Sequence, residues 1–114
     1  MLSIVRKADE AFYGGFDITT DPEDTYDHVV TLVRVVDNLR ERYAIFEIED
    51  ADGEVDRVRL DADNTSVKFG PAEMHLVGVH VYGISGGRDH LGVRIAIDAP
   101  QEYRIVRDDA KRKV

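Results

Sequence analysis

Cysteine is absent from this chain of 114 residues. That excludes disulfide cross-links and thiolate chemistry, and it fits a cytoplasmic location. Leucine is scarce, with 6 residues against 23 valines and isoleucines. No apolar run approaches the ~20 residues that a bilayer-spanning helix needs. No secretory leader is expected either, because Arg6 and Lys7 are followed by Asp9 and Glu10 with no apolar core segment. The four histidines, His28, His75, His80 and His90, form no HxH or HxxxH pair, so no metal site is expected. Tyr13-Gly14-Gly15 and Ser85-Gly86-Gly87 are too short to cradle a phosphate. No serine or threonine sits in a nucleophile-elbow setting. The expectation is a protein that is not an enzyme and uses no cofactor.

What the chain does contain is short β-type runs separated by turn chemistry. Hydrophobic residues make up 43% of it, enough for one domain with a real core. The excess of valine and isoleucine favours strands, because β-branched side chains lose little freedom on a pleated surface. Strands are predicted over 2–6, 11–18, 28–36, 43–49, 54–60, 66–70, 75–84, 91–97 and 102–107. Between them fall DPED, DNLRE, DADG, DADNT, ISGGRD and DAPQ, rich in the Asp, Asn, Gly and Pro that turns demand. The spacing predicts an all-β, antiparallel sandwich or barrel. Over 27–42 a helical face made of Val29, Leu32, Val33, Val36 and Leu39 is an alternative, with Asp24 or Thr25 as its cap. DADGEVD, residues 50–56, has its glycine in the wrong place for a calcium loop and reads as a hairpin turn.

An internal similarity runs at an offset of 48 residues. YAIFEIEDADGEVDRVRLD, 43–61, lies over LGVRIAIDAPQEYRIVRDD, 91–109, without a gap. Asp50/Asp98, Ala51/Ala99, Glu54/Glu102, Val58/Val106, Arg59/Arg107 and Asp61/Asp109 are identical pairs.

The two ends of the chain resemble a known family. MLSIVRKADEAF is similar to the MLxLTRKxGE opening of the carbon storage regulators, also called repressors of secondary metabolites. VRIAIDAPQEYRIVRDD, 93–109, resembles that family's VRIGIxAPxEVxVHRxE. Val5 stands at the family's threonine, Asp9-Glu10 at its Gly-Glu pair and Val106 at its histidine. The resemblance covers about residues 1–18 and 76–109. It implies a bacterial RNA-binding regulator of translation that recognises GGA in hairpin loops of mRNA leaders. It also implies an intertwined arrangement of five-stranded subunits in which first and last strands together bind RNA.

Two architectures explain the extra length. In one, residues 1–60 and 61–114 are two subunit-like halves fused into a single-chain pseudo-dimer, with EVDRVRL serving both halves at the seam. In the other, 19–74 is an insertion in one subunit that pairs with a second chain as a homodimer.

Charge divides by region. Residues 19–74 hold 15 acidic and 6 basic residues, while the rest hold 8 acidic and 9 basic, giving the formal net charge of −8. The family-like ends are therefore not acidic, and RNA affinity depends on local charge and stacking surface. By resemblance Ile4 is expected to pack on a base, and Arg6 and Lys7 to contact phosphates. Arg107 is the expected central contact, with Arg104, Ile105 and Asp108 beside it. Lys111, Arg112 and Lys113 add non-specific attraction. The implied partner is an mRNA leader or a small regulatory RNA, with a protein antagonist as a further partner. The competing expectation is a protein-interaction module of the same fold that has lost RNA binding. No membrane partner is expected.

Overall fold

The computed structural model describes residues 2–18, 25–85 and 88–107, and for 80–85 and 88–90 the backbone alone. The described residues form nine strands: β1 (Leu2–Lys7), β2 (Ala11–Gly15), β3 (His28–Asp37), β4 (Arg42–Asp50), β5 (Val55–Leu60), β6 (Ser66–Phe69), β7 (Ala72–Ser85), β8 (Arg88–Asp98) and β9 (Arg104–Arg107). They build an all-β fold of two antiparallel sheets. One sheet has the order β1-β8-β7-β6 and the other β5-β4-β3-β2-β9. The segment open to a helical reading is strand β3, in keeping with its six β-branched residues among ten.

Each sheet is centred on a long hairpin, β3–β4 in one and β7–β8 in the other. Each hairpin carries a register shift near its middle, between Leu32 and Arg34 and between Leu76 and Gly78. Such bulges bend and twist a strand. Side-chain carboxylates and amides cap the tight turns. Asp50 Oδ1 accepts the N–H groups of Asp52 and Glu54, and Asp61 Oδ1 those of Asp63 and Asn64. Asn38 Oδ1 likewise accepts from Arg40 and Glu41. These are the Asx-type turns that local Asp and Asn favour over a continued ladder. The N–H groups of Asn64 and Asp63, with Arg59 adding to them, hold the Asp61 carboxyl below the usual range.

The core lies between the sheets. Phe12, Val30, Leu32, Phe46 and Leu60 face inward from one sheet, and Met74, Val93, Ile95 and Ile97 from the other. Full burial of side chains this size is worth about 1.5–3 kcal/mol each relative to exposure, so this layer dominates the folding free energy. β8 packs across β3 and β6 lies next to β5. The short turn from β1 to β2 crosses from one sheet to the other. As a result β1 and β9 flank one side of the sandwich, and β5 and β6 the other.

Candidate nucleic-acid interface

The tripeptide Ile-Val-Arg occurs in β1 as Ile4-Val5-Arg6 and in β9 as Ile105-Val106-Arg107. Strand alternation puts Ile4 and Arg6 on one face and Ile105 and Arg107 on one face. In both strands that face is the inward one. Ile4 is buried in the core, and Ile105 packs against it half-buried. Arg6 is only 4% exposed. Its Nη1 donates to the Ala11 carbonyl at 3.2 Å, and its Nε donates to the Val5 carbonyl.

Arg107 lies opposite Phe12, the residue after Ala11. The ends of β1 and β9 therefore converge on the start of β2, although the two strands belong to different sheets and do not pair with each other. β1 pairs with β8, and β9 with β2.

The structure sorts the expected contact residues. Lys7, Arg104 and Arg107 are exposed. Ile4 and Arg6 are placed differently from the expectation: Ile4 contributes to the core, and the Arg6 guanidinium bonds to main-chain carbonyls at the end of the sandwich. The apolar surface left on β1 is Leu2, 44% exposed, and the half-buried Val5. Arg104 sits opposite Gly15, three residues from Arg107 and so about 10 Å along the strand. Asp108 and the basic Lys111, Arg112 and Lys113 lie outside the described residues.

The turn joining β1 to β2 is tightly made. The Glu10 N–H donates to the Lys7 carbonyl at 3.0 Å, and the Glu10 carboxylate accepts the Lys7 N–H at 2.6 Å. Asp9 has φ +72°, in the left-handed region that glycine takes most easily. Its N–H donates to the Leu32 carbonyl at 2.7 Å, which ties the turn to β3.

The acidic residues on the β5 side lie across the sandwich from this flank, whereas Asp27 lies beside β2 and Tyr103. The basic residues Arg42 and Arg57 pair with Asp37 and Glu47 at 3.0 and 2.7 Å. Arg59 pairs with Asp61 and lies 3.8 Å from the centre of the Tyr43 ring. Glu54 and Asp56 are on the β5 side, four strand positions from β9. At about 4.8 Å per strand that is about 19 Å, more than twice the ~8 Å screening length of physiological salt. Among the described residues, the β5-side acids are thus too distant to neutralise Arg104 and Arg107.

Sequence reasoning missed what holds β9 in place. Tyr103, just before it, is 3% exposed. Its ring meets those of Phe16, His28 and Phe69 at centroid distances of 5.1–6.3 Å. Its hydroxyl lies 2.8 Å from His28 Nδ1. Burial, with the nearby Asp27 carboxylate adding to it, pushes the Tyr103 hydroxyl pKa far above its ordinary value. The ring also lies against Gly14, where a Cβ would fall 2.6 Å from Tyr103 Cε2. A signal existed in AFYGG, since paired glycines inside a strand often mark a close approach.

Among the described residues no group of three or more His, Asp or Glu side chains is placed to hold a metal ion, and no helix is long and apolar enough to cross a membrane. Comparison of the chain with family models, with curated proteins and with solved structures finds no match.

Proposed function

We propose that this protein binds unpaired RNA along the flank formed by β1 and β9 and regulates translation by doing so. The observation that carries the reading is the exposure of Lys7, Arg104 and Arg107, each on a strand that ends its sheet on this flank, with the acidic β5 side opposite. Strands that end a sheet leave one row of main-chain N–H and C=O groups outside the ladder. Such groups can read the Watson–Crick edges of splayed bases, while arginine neutralises phosphate or stacks. Val5, on the same face of β1 as Lys7, offers a partly exposed apolar surface on which a base packs.

The resemblance to the carbon storage regulators gains support from the β1–β2 turn. Where the family pattern has glycine, this chain has Asp9 in the conformation that glycine favours. Where the pattern has glutamate, Glu10 closes the turn onto Lys7. The family-like motif thus has a physical role here, independent of RNA. On this reading the preferred target is a GGA-bearing hairpin loop in an mRNA leader or small RNA, and the cell compartment is the cytoplasm. Ile4 and Arg6 serve as scaffold for the flank rather than as its contact surface.

Gel-shift titration with a GGA hairpin and a CCA control tests this. Wild type is expected to retain the GGA hairpin selectively, and Arg107→Ala to bind it at least about tenfold more weakly, the effect of losing one charged contact of about 1.4 kcal/mol. Equal weak binding of both hairpins would overturn sequence-selective recognition.

A further inference from the structure

We infer that the outer edge of β6 is an acceptor for one more strand, supplied by a partner protein as an extended basic segment with an apolar residue on its inward face. The inference does not depend on RNA binding at the opposite flank.

It starts from the two sheet orders. The 48-residue offset lays β3 over β7 and β4 over β8. Setting β5-β4-β3-β2-β9 against β1-β8-β7-β6 then matches β5 with β1 and β2 with β6. β9, which closes the edge of β2, has no counterpart beside β6. Among the described residues nothing pairs with the outer edge of β6.

The vacant strand position coincides with a cleft. It has a volume of about 210 Å³ and lies between β5 and β4 of one sheet and β6 of the other. Ile48, Val58, Val67 and Phe69 line it from both sheets. Val58 and Val67 are only half-buried. At the matching edge Ile105 of β9 packs on the core. An inward residue of an added strand does the same for Val58 and Val67. The volume is below the roughly 300–1,000 Å³ of small-molecule pockets, so it suits side chains of a strand rather than a free ligand. Strand addition to an exposed sheet edge is an established mode of peptide recognition: main-chain bonds give affinity and alternate side chains give specificity.

Charge selects the occupant. Asp50, Glu54 and Asp56 line the cleft against the single base Lys68 and the imidazole of His28. A second copy docking β6 to β6 brings these acids together in a chain of formal net charge −8, which opposes that pairing. A segment carrying arginine or lysine beside its apolar residues is attracted. β9 itself, Arg104-Ile105-Val106-Arg107, shows the chemistry a strand needs at the equivalent place.

The probe is a fluorescent, C-terminally amidated pentapeptide with the sequence of residues 103–107, titrated into the full chain by anisotropy. Hydrogen exchange locates where it binds. Saturable binding is expected, with new amide protection at 66–69. The peptide with aspartate for both arginines is expected to bind about tenfold more weakly, as is the peptide to a Glu54→Lys/Asp56→Lys variant. Lys68→Glu is expected to tighten binding severalfold. These are exposed positions, and an unchanged circular dichroism spectrum and Tm certify the variants' fold. No binding at millimolar peptide, or binding indifferent to the charge reversals, overturns the inference. So does protection at β2, which means the peptide replaces β9. So does protection at 66–69 that arises from self-association without peptide, which makes a second copy the occupant.

Discussion

The Tyr103 hydroxyl and His28 Nδ1 share a hydrogen bond of 2.8 Å, joining the loop before β9 to the first residue of β3. The bond spans 75 residues of sequence and fixes where β9 begins. Tyr103→Phe keeps the ring and removes the bond, so a loss of about 1 kcal/mol is expected by urea denaturation at neutral pH. Combining it with His28→Ala in a double-mutant cycle should show a coupling of similar size.

The same hydroxyl gives a pH dependence. Its folded-state pKa is raised above the ordinary value near 10 by burial and by Asp27. The neutral form is thus favoured by folding. This stabilisation is fully present below about pH 10 and is lost as the pH rises through the interval between the unfolded and folded values. Over that interval Tyr103 contributes a decline of up to about 1.4 kcal/mol per pH unit. Tyr103→Phe, compared with wild type between pH 9 and pH 11, should remove that increment of alkaline destabilisation. Parallel curves for the two proteins would contradict the assignment.

Gly14 is required by the same ring. A Cβ there falls 2.6, 2.8 and 2.9 Å from Tyr103 Cε2, Oη and Cζ. The ring has no easy retreat, being packed against Phe16, His28 and Phe69. Gly14→Ala should therefore destabilise by about 1–3 kcal/mol, the range for overpacking. In a Tyr103→Ala background the penalty should shrink markedly. A penalty of the same size in both backgrounds would locate the strain elsewhere.

The strands were legible in the sequence because turn chemistry and β-branched runs are local. All nine described strands fall on predicted segments, and DADG and DADN form the Asx-capped turns that their composition indicates. Pairing was less legible. The repeated halves 43–61 and 91–109 look alike in sequence, yet β4 pairs with β5 as a hairpin while β8 pairs with β1 and β9 crosses to the other sheet. That choice depends on partners about 90 residues apart, such as Ile4 and Ile95, which no local pattern encodes. Alternation put Ile4 and Arg6 on the same face, but not which face. The inward direction of that face removes both from the surface expected to meet RNA.

The left-handed Asp9 should rank substitutions by backbone tolerance. Asp pays part of the 1–2 kcal/mol that an L-residue costs at positive φ, and a β-branched residue pays it in full. Asp9→Gly is expected to be neutral or stabilising by up to about 1 kcal/mol, and Asp9→Val destabilising by about 1–2 kcal/mol. Thermal melts of the two variants against wild type test the order. Val equal to Gly would mean that the turn relaxes.

Arg6 and Lys7, adjacent in sequence, should separate folding from binding. Arg6 is buried and its guanidinium bonds to the half-buried Ala11 carbonyl, so Arg6→Ala removes a charged donor from that carbonyl. A loss of about 1.5–3 kcal/mol is expected from removal of a hydrogen bond to a charged group, seen as a lower Tm without RNA. Lys7 is exposed and its turn bond is made by its main-chain N–H, which alanine retains. Lys7→Ala should leave Tm within about a degree or two, since exposed substitutions rarely exceed ~0.5 kcal/mol. If the proposed flank contacts phosphate, Lys7→Ala should weaken RNA binding across sequences and reduce the slope of log K against log salt by ~0.7, the value for one phosphate on a single strand. An unchanged slope for both Lys7→Ala and Arg107→Ala would remove this flank as the RNA surface, whatever the stability of Arg6→Ala.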